Sequence, residues 1–511
     1  MRDVREVGNA PVSARVSSGT AERPPLDVLT KFFYGMGTMA GAVKGRLSGL
    51  LLFFYNQLVG LPAPWISAAI GISLFIDAFW DPIVGQISDR THTRWGRRHP
   101  YIYGATIPAA ICFALLFMPP HGAQQRTIFL WLLVMLLGTR IFDSLNEIPA
   151  SALLPELTQN YDERTNVSSY RYLFSGVIGA LLGVILTFGV FLRKTKTESF
   201  GQFNFAAYAP FAVTTAIIGV VALLASAIST HRYIPYLHRP QRVREPGRLA
   251  RVIGAALANR NFVSIASSSL IFGIAVGIAG GLGFYFSTYA FELGSNALLV
   301  LGLSIIPAGL IGVVLAPIIG RVMDKKRACL TVFFLAIAST TVPLGAWLLG
   351  LMPAGAPWVL PVIIIDNMAT TGLATTGFII VTSMIADVVD ESAVQTGQRS
   401  EGLLYAAESL VRKVTSSFAA FIPGLVLGFV HFPMHARPGH VDPVIIRNLI
   451  LIYLPTYTFI TLCSTSALMF YRIDRAKHVD NVRKLGEAVA LAEAAIEELE
   501  LAEGPITPRP V

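Results

Sequence analysis

Twelve long apolar stretches constrain the fold of this chain more than any other feature. Each is close to or above the roughly 20 mostly apolar residues that an α-helix needs to cross the core of a bilayer. Several are longer, which predicts tilt or extension beyond the bilayer. We number these predicted spans 1 to 12; they cover residues 32–58, 63–88, 100–119, 127–154, 168–192, 207–230, 262–289, 297–322, 329–350, 358–386, 402–430 and 447–471.

The composition indicates a membrane protein as well. Hydrophobic residues make up 53% of the 511 residues and charged residues 14%, whereas a soluble domain carries roughly 25% charge. So little charge cannot cover a globule of this size, which excludes a soluble enzyme, a secreted disulfide scaffold and a disordered protein. The three cysteines, Cys112, Cys329 and Cys463, are too few and too scattered for a zinc site or a disulfide framework.

The basic residues predict the orientation. The net charge is +9, and arginine and lysine concentrate in the loops after spans 2, 6 and 8. By the positive-inside rule both termini lie in the cytoplasm, and we expect a multi-pass protein of the plasma membrane, which is the inner membrane in a bacterium. The predicted organisation is a disordered tail (1–30), a six-helix half (31–230), a basic linker (231–261), a second six-helix half (262–472) and a cytoplasmic tail (473–511).

The two halves share a motif. A Pro-x-x-Gly-x-x-x-Asp sequence ends span 2 at Asp89 and span 8 at Asp324, an offset of 324 − 89 = 235. The same offset carries Arg164 onto Arg399. Two matches at one offset indicate an internal repeat, and parallel repeats of six spans are the plan of the major facilitator fold. We therefore predict an all-α membrane protein with twelve helices in two halves around a central cavity.

The repeated loops suggest a cytoplasmic gate. The motif aspartates would pair with arginines or helix dipoles across the seam between the halves in one state and release in the other. The alternative is a plain positive-inside loop. The candidate gate residues are Asp89, Arg90, Arg97, Arg98, Asp324, Arg164 and Arg399.

Charges inside the spans predict a polar cavity, because each costs at least about 2.5–3.5 kcal/mol at the bilayer centre without a partner. Asp77 and Asp81 lie one turn apart on one face of span 2. Two carboxylates this close repel, and a bound cation or a proton relieves the repulsion. This predicts a coupling site for Na⁺ or H⁺, with Ser144 as a neutral oxygen; the compatible alternative is a salt bridge to Lys413.

Spans 1 and 4 carry further charges. Arg140, Asp143 and Glu147 follow one another by about one turn, as a self-neutralising ladder or as a floor that binds substrate hydroxyls. Lys44 and Arg46 in span 1 either clamp an anion or neutralise Asp77, Asp81 or Glu147.

Two other features of the spans bear on the cavity. Pro149 and Pro155 predict breaks in span 4, which are tolerated where a helix lines a cavity. Asp366 in span 10 either lines the cavity or lies at a helix end near the surface.

The residues resemble those of a known family, the glycoside–pentoside–hexuronide:cation symporters, typified by melibiose permease. The resemblance runs from about residue 31 to residue 471, and its motifs occur in order at matching spans. They are Phe53-Phe-Tyr-Asn-Gln-Leu-Val-Gly60, Asp77-Ala-Phe-Trp-Asp81-Pro82, Ser88-Asp-Arg-Thr-His-Thr-Arg-Trp-Gly-Arg-Arg-His-Pro100, Glu147-Ile-Pro149, Glu163-Arg-Thr, Ser169-Tyr-Arg171, Ile385-Ala-Asp387-Val-Val-Asp390 and Val411-Arg-Lys413.

The resemblance implies a major facilitator fold and cation-coupled symport of a sugar, glycoside or hexuronide by alternating access. It matches Asp77 and Asp81 to the family's cation-site aspartates, with Ser144 in support. It places Glu147, Arg171, Lys413 and Phe378 at the sugar. Together with the span charges, the predicted substrate-binding residues are Glu147, Arg171, Lys413, Phe378, Lys44, Arg46 and Asp143.

Two departures from the family bear on the substrate. Gly41 or Ala42 stands where melibiose permease has a sugar-binding aspartate, and Ser151 replaces an aromatic residue. With Lys44 and Arg46 a turn further on, an acidic sugar such as a uronide, or another organic anion, fits better than a neutral galactoside. Carriers of lysophospholipids in the wider family keep the aspartate pair and the lysine, so a lysophospholipid or other amphipathic anion is the alternative substrate.

Other classes fit less well. An intramembrane transferase would need a third metal ligand at fixed spacing from the acid pair, so we predict that the chain is not an enzyme. A passive facilitator would not need the acid pair. We expect no cofactor other than transported Na⁺ or H⁺, no nucleic-acid partner, and a monomer whose partners are the bilayer, the solute and the coupling cation.

Overall fold

The computed structural model describes residues 26–237 without 159, 197 and 199, residues 259–396, and residues 413–487 without 482 and 485. The described elements are helices, ten of which are long and apolar enough to cross a membrane. The prediction of an all-α, multi-pass membrane protein is confirmed. The count of twelve spans and the cytoplasmic placement of the termini stay predictions.

The helices follow the predicted spans closely, and we keep the span numbers. In the N-terminal half (26–237) spans 1 to 6 are Val28–Met36 with Met39–Ser48, Leu51–Phe53 and Phe54–Val59; Ala63–Arg90; His99–Leu116; Gln125–Leu157; Tyr161–Tyr172 with Leu173–Ile178, Gly179–Val184 and Ile185–Phe191; and Phe205–His231. In the C-terminal half (259–487) spans 7 to 12 are Arg260–Tyr285 with Phe286–Ala290; Ser295–Leu303 with Ile305–Val322; Lys325–Leu348; Val359–Thr396; Lys413–Phe429; and Pro443–Ala467.

Span 1 is divided at glycines. Its first piece ends at Gly37 and its second at Gly49. A Cβ on Gly35 would lie 2.9 Å from Tyr170 of span 5, and one on Gly37 would lie 2.7 Å from Ser226 of span 6. Because these contacts leave no room for a side chain, the glycines let span 1 approach both neighbours at the backbone.

Asp27 ties the start of span 1 to the end of span 6. It caps the helix by accepting a hydrogen bond from the Thr30 backbone N at 3.1 Å, and it forms an ion pair with Arg232. Hydrogen bonding from Thr30, with Arg232 beside it, holds the pKa of the Asp27 carboxyl below its ordinary value. The pair is half-exposed, so its contribution to stability is small.

The predicted break of span 4 is wrong. The helix runs without interruption from Gln125 to Leu157, through Pro149 and Pro155. Each proline removes one backbone hydrogen bond, whereas unravelled backbone in a bilayer would leave several polar groups without partners. The continuous helix therefore costs less than the break.

Span 10 extends about three turns further than predicted, to Thr396 rather than residue 386. Its added turns carry two buried carboxylates, which find partners on neighbouring elements. Lys325 Nζ lies 2.8 Å from both oxygens of Asp387, and Asn261 Nδ2 donates to Glu391 at 2.7 Å. These partners compensate the buried charges in the last turns of span 10. The low hydropathy of this segment predicts a loop instead.

The two halves meet along a seam. Span 2 packs on span 11, and span 5 packs on span 8. The packing is close, since a Cβ on Gly71 would lie 2.2 Å from the Phe421 ring and one on Gly424 would lie 2.3 Å from the Ala63 carbonyl oxygen. We call the end that carries the loops after spans 2 and 8 the basic end, and the end that carries the loops after spans 1, 5, 7 and 11 the opposite end.

Candidate functional site

The predicted cation-site residues come together in the seam. Ser144 Oγ of span 4 donates to Asp77 Oδ1 at 2.8 Å. From the other half, Lys413 Nζ lies 3.4 Å from Asp77 Oδ2 and donates a close hydrogen bond to Asp81 Oδ2. The side chains of Asp77 and Asp81 are only 11% and 13% exposed. Spans 2, 4 and 11 therefore build one site from both halves.

This arrangement concentrates negative charge around a single positive group. The lysine supplies the compensation that two adjacent carboxylates require. Asp81 Oδ1 is buried and has no hydrogen-bond partner among the described residues. Carboxylate oxygens and a hydroxyl are ligands of a hard cation, so the residues can hold Na⁺, or a proton, in exchange for the lysine.

A cavity of about 620 Å³ lies beside the acid pair, within the N-terminal half. Spans 1, 4, 5 and 6 line most of it, Ile102 of span 3 also contributes, and it reaches from Asp143 to Leu154 and Ser168 near the basic end. Its size suits a small-molecule ligand. Four charged side chains face it: Lys44, Asp143, Glu147 and Arg171.

Lys44 is buried in this wall and donates to Asp143 Oδ1 at 2.6 Å. The sequence did not suggest this partner, and the pairing takes Asp143 out of the predicted ladder with Arg140. Arg46 points elsewhere: a Cβ on Gly183 of span 5 would lie 2.7 Å from its Cγ, and it is not among the residues that line the cavity.

We predict unequal costs for breaking the Lys44–Asp143 pair. The side chain of Lys44 is 8% exposed and that of Asp143 is 34% exposed. Asp143→Asn leaves the buried ammonium of Lys44 without a charged partner and should lower the free energy of unfolding by about 3 kcal/mol. Lys44→Met leaves a carboxylate that water reaches through the cavity, and should cost about 1 kcal/mol.

Thermal melting in detergent checks this pair, and the double variant K44M/D143N is the control. It should recover most of the loss, because no buried charge is left without a partner. Equal costs for the two single changes, or a double variant as unstable as Asp143→Asn, would contradict the interpretation.

Arg171 is held at the cavity wall by neutral groups. Its guanidinium donates to Ser151 Oγ at 3.0 Å and to the Tyr34 hydroxyl at 3.4 Å, and it lies over the Tyr34 ring. Tyr34 in turn donates to the Ala150 carbonyl at 2.6 Å. Ser151, at the position where the family resemblance implies an aromatic residue, is thus a positioning partner of Arg171. Sequence reasoning missed Tyr34, which carries no signal beyond being an aromatic residue in span 1.

The remaining predicted substrate residues are separated. Glu147 lines the cavity and lies within electrostatic range of Lys413 and Asp81, so it connects the cavity with the acid pair. Phe378 lies on span 10, half-exposed and edge-to-face with Phe272 at 5.3 Å between ring centres. It is not among the residues that line the N-terminal cavity.

Three of the predicted gate residues, Asp89, Arg97 and Arg98, form a cluster with an acid that the prediction did not include. Glu156 Oε1 lies 2.6 Å from Arg97 and 2.5 Å from Arg98, and Arg98 also lies 3.3 Å from Asp89. These ion pairs stay within one half. The exchange of partners across the seam stays a prediction.

The other gate residues take no described part in an ion pair. Arg90 and Arg164 are exposed, and Asp324 is exposed at the start of span 9. Arg399 lies outside the described residues. A sequence signal for Glu156 did exist: the repeat offset of 235 carries it onto Glu391, which is buried at the matching end of span 10.

A helical fold with two halves around a polar seam, and with paired charges inside the spans, defines a secondary transporter of the major facilitator type. Residues 33–475 match the family described as MFS/sugar transport protein. The chain belongs to this family, the glycoside–pentoside–hexuronide symporter family of the major facilitator superfamily. Its members are transporters and not enzymes, which confirms that prediction.

Two relatives and one solved structure illustrate the likeness. An uncharacterized symporter of Synechocystis sp. is 25% identical over 89% of this chain and 96% of its own length. The isoprimeverose transporter of Lactiplantibacillus pentosus is 26% identical over 87% of this chain and 88% of its own. A crystal structure of a variant of the nucleoside transporter NupG shares the fold, with a TM-score of 0.59 at 13% identity, covering 86% of this chain and 99% of that one.

Proposed function

We propose that this protein is a cation-coupled symporter that carries a sugar or glycoside across the plasma membrane by alternating access. The observation that supports this most is the pairing of Lys413, from the C-terminal half, with Asp77 and Asp81 of the N-terminal half. Na⁺ or H⁺ entering the acid pair displaces the lysine. The charge of the site, and a contact between the halves, then depend on the cation.

The solute site adjoins this pair. Because Lys44 and Asp143 neutralise each other, Glu147 and Arg171 are the charges left in the cavity to bind the solute. A carboxylate and a guanidinium that line one cavity can bind the hydroxyls of a solute, since one accepts and the other donates hydrogen bonds. This favours a polyhydroxylated solute. Named relatives include an isoprimeverose transporter and lactose permeases. Arg171 also suits the carboxylate of a hexuronide.

Thermal melting of the purified protein tests the proposal. The panel holds neutral glycosides, hexuronides and lysophospholipids, each in sodium and in choline and at two pH values. A ligand that binds only the folded protein raises the midpoint by mass action. A shift with one sugar class that sodium or low pH enhances would support symport and identify both the solute class and the cation.

Two outcomes would contradict the proposal. A shift with lysophospholipid and none with any sugar would establish the lipid alternative. A sugar shift that neither sodium nor pH affects would establish a facilitator. Reciprocal linkage gives a further check, because the sugar must raise the apparent cation affinity by the same factor by which the cation raises that of the sugar.

A further inference from the structure

Polar contacts between the halves close the opposite end of the seam, and their side chains are buried. The first set centres on Gln57, at the end of span 1. Gln57 Oε1 accepts from the Ala436 backbone N at 2.9 Å, and Gln57 Nε2 donates to the Pro433 carbonyl at 3.2 Å. Gln57 is 2% exposed. These two hydrogen bonds attach the loop after span 11 to the N-terminal half, and we call them the first hook.

In the second set of contacts, the loop belongs to the N-terminal half and the receiving segment to the C-terminal half. The Gly201 backbone N, in the loop after span 5, donates to Ser295 Oγ at 3.0 Å. Gln202 Nε2 donates to the Leu293 carbonyl at 3.1 Å. Gln202 and Ser295 are both fully buried. These bonds attach this loop of the N-terminal half to the start of span 8 in the C-terminal half, and we call them the second hook.

The two hooks are related by the internal repeat. The offset of 235 carries Gly201 onto Ala436, and each of these residues donates its backbone N–H to a side chain of the other half. The receiving segments also match, at an offset of 292 − 60 = 232 rather than 235. Span 1 ends in a π-helical turn and a left-handed Gly60, and span 7 ends in a π-helical turn followed by a left-handed Glu292.

The two turns share one backbone hydrogen bond. The Leu61 backbone N donates to the Tyr55 carbonyl and the Leu293 backbone N to the Ser287 carbonyl, both at 2.9 Å and both six residues back. Glycine adopts the left-handed conformation readily, whereas a glutamate does so at a cost. Glu292 keeps the left-handed conformation that Gly60 has, although this conformation is unfavourable for a glutamate. This indicates that the hook requires the conformation.

We propose that these hooks form a two-part latch, which holds the opposite end shut and must release at both loops before that end can open. The proposal rests on the alternating-access function above. A buried amide that loses one partner without gaining water is left unsatisfied. A half-open latch is therefore unfavourable, and the hooks release together.

Site-directed labelling of intact cells tests the latch. The background replaces Cys112, Cys329 and Cys463 by alanine, and Ser175→Cys places one thiol in the cavity. A membrane-impermeant maleimide is added outside the cells at one fixed pH, in choline medium without sodium and without added solute. Gln57→Leu and Gln202→Leu should each raise the labelling rate about 3- to 10-fold, the effect of losing a net hydrogen bond or two.

Gln125→Leu is the matched control. Gln125 lies at the same end and its Nε2 approaches the Gly60 carbonyl at 3.4 Å, but this contact stays within one half. Its labelling should equal that of the background. Unchanged labelling in both hook variants, in protein that runs as a single species on size exclusion, would overturn the latch.

A locking experiment covers the case in which the leucine variants misfold. Val184→Cys with Gly302→Cys pins the seam between spans 5 and 8 on the side of the second hook, because a Cβ on Gly302 would lie 3.5 Å from Val184 Cβ, a separation that a disulfide spans. Oxidation should reduce external labelling of the cavity thiol to background, and a reductant should restore it. Oxidised protein that labels as fast as reduced protein would overturn the proposal. Because neither readout uses solute or cation, failure of the latch and failure of the proposed symport are distinguishable.

Discussion

Asp77→Asn removes any cation-dependent rise in the melting temperature and lowers solute uptake by at least about 100-fold. The carboxylate accepts from Ser144 at 2.8 Å, lies 3.4 Å from Lys413 Nζ, and is one of two acids on the same face of span 2. Its amide can neither balance a cation nor compensate Lys413. Loss of one member of a buried charge group costs about 3 kcal/mol or more, which corresponds to about 100-fold or more in affinity.

Asp366→Asn is the matched control for this change. Asp366 is another aspartate inside a span, but its partner is Ser339, which donates to it at 2.7 Å within the C-terminal half. We expect it to keep the cation-dependent melting shift. The measurement is melting with and without sodium, and across pH, with uptake in parallel. A cation shift that survives Asp77→Asn would exclude the acid pair as the coupling site.

Lys413→Met separates exchange from net uptake. In the absence of a cation, Lys413 is the positive charge at Asp77 and Asp81. Net uptake requires the empty carrier to reorient, and without the lysine it would do so with two adjacent uncompensated carboxylates. Exchange of labelled for unlabelled solute uses only the loaded carrier, in which the cation supplies the charge. We therefore expect net uptake to fall by at least about 100-fold, while exchange stays within a few-fold of the wild-type rate.

The same variant gives a second, independent prediction. With no lysine competing for the site, the cation-induced melting shift should be larger in Lys413→Met than in the wild-type protein, although the cation-free protein melts at a lower temperature. Lys413→Arg keeps the charge and should retain part of the net uptake. Equal loss of exchange and net uptake in Lys413→Met would show instead that the lysine binds the solute or holds the fold.

Much of the site could be predicted from local spacing. Asp77 and Asp81 share a helix face because they are four residues apart, and the cost of unpaired charge in a bilayer predicted a partner such as Lys413. The Lys44–Asp143 pair could not be predicted, because it joins spans 1 and 4 and depends on how the two helices face each other. Prediction failed for the prolines of span 4 because a bilayer penalises unravelled backbone more than a proline within a helix.

The latch at the opposite end marks the limit of sequence reasoning most sharply. Gln57 and Gln202 are ordinary polar residues near span ends, and their partners are backbone groups, which any residue supplies. The sequence by itself determined the spans, their polar faces and the repeat, because hydrophobic length and helical periodicity are local properties. Only the tertiary structure decided which charges meet across the seam and which end is closed, because those contacts join segments far apart in the chain.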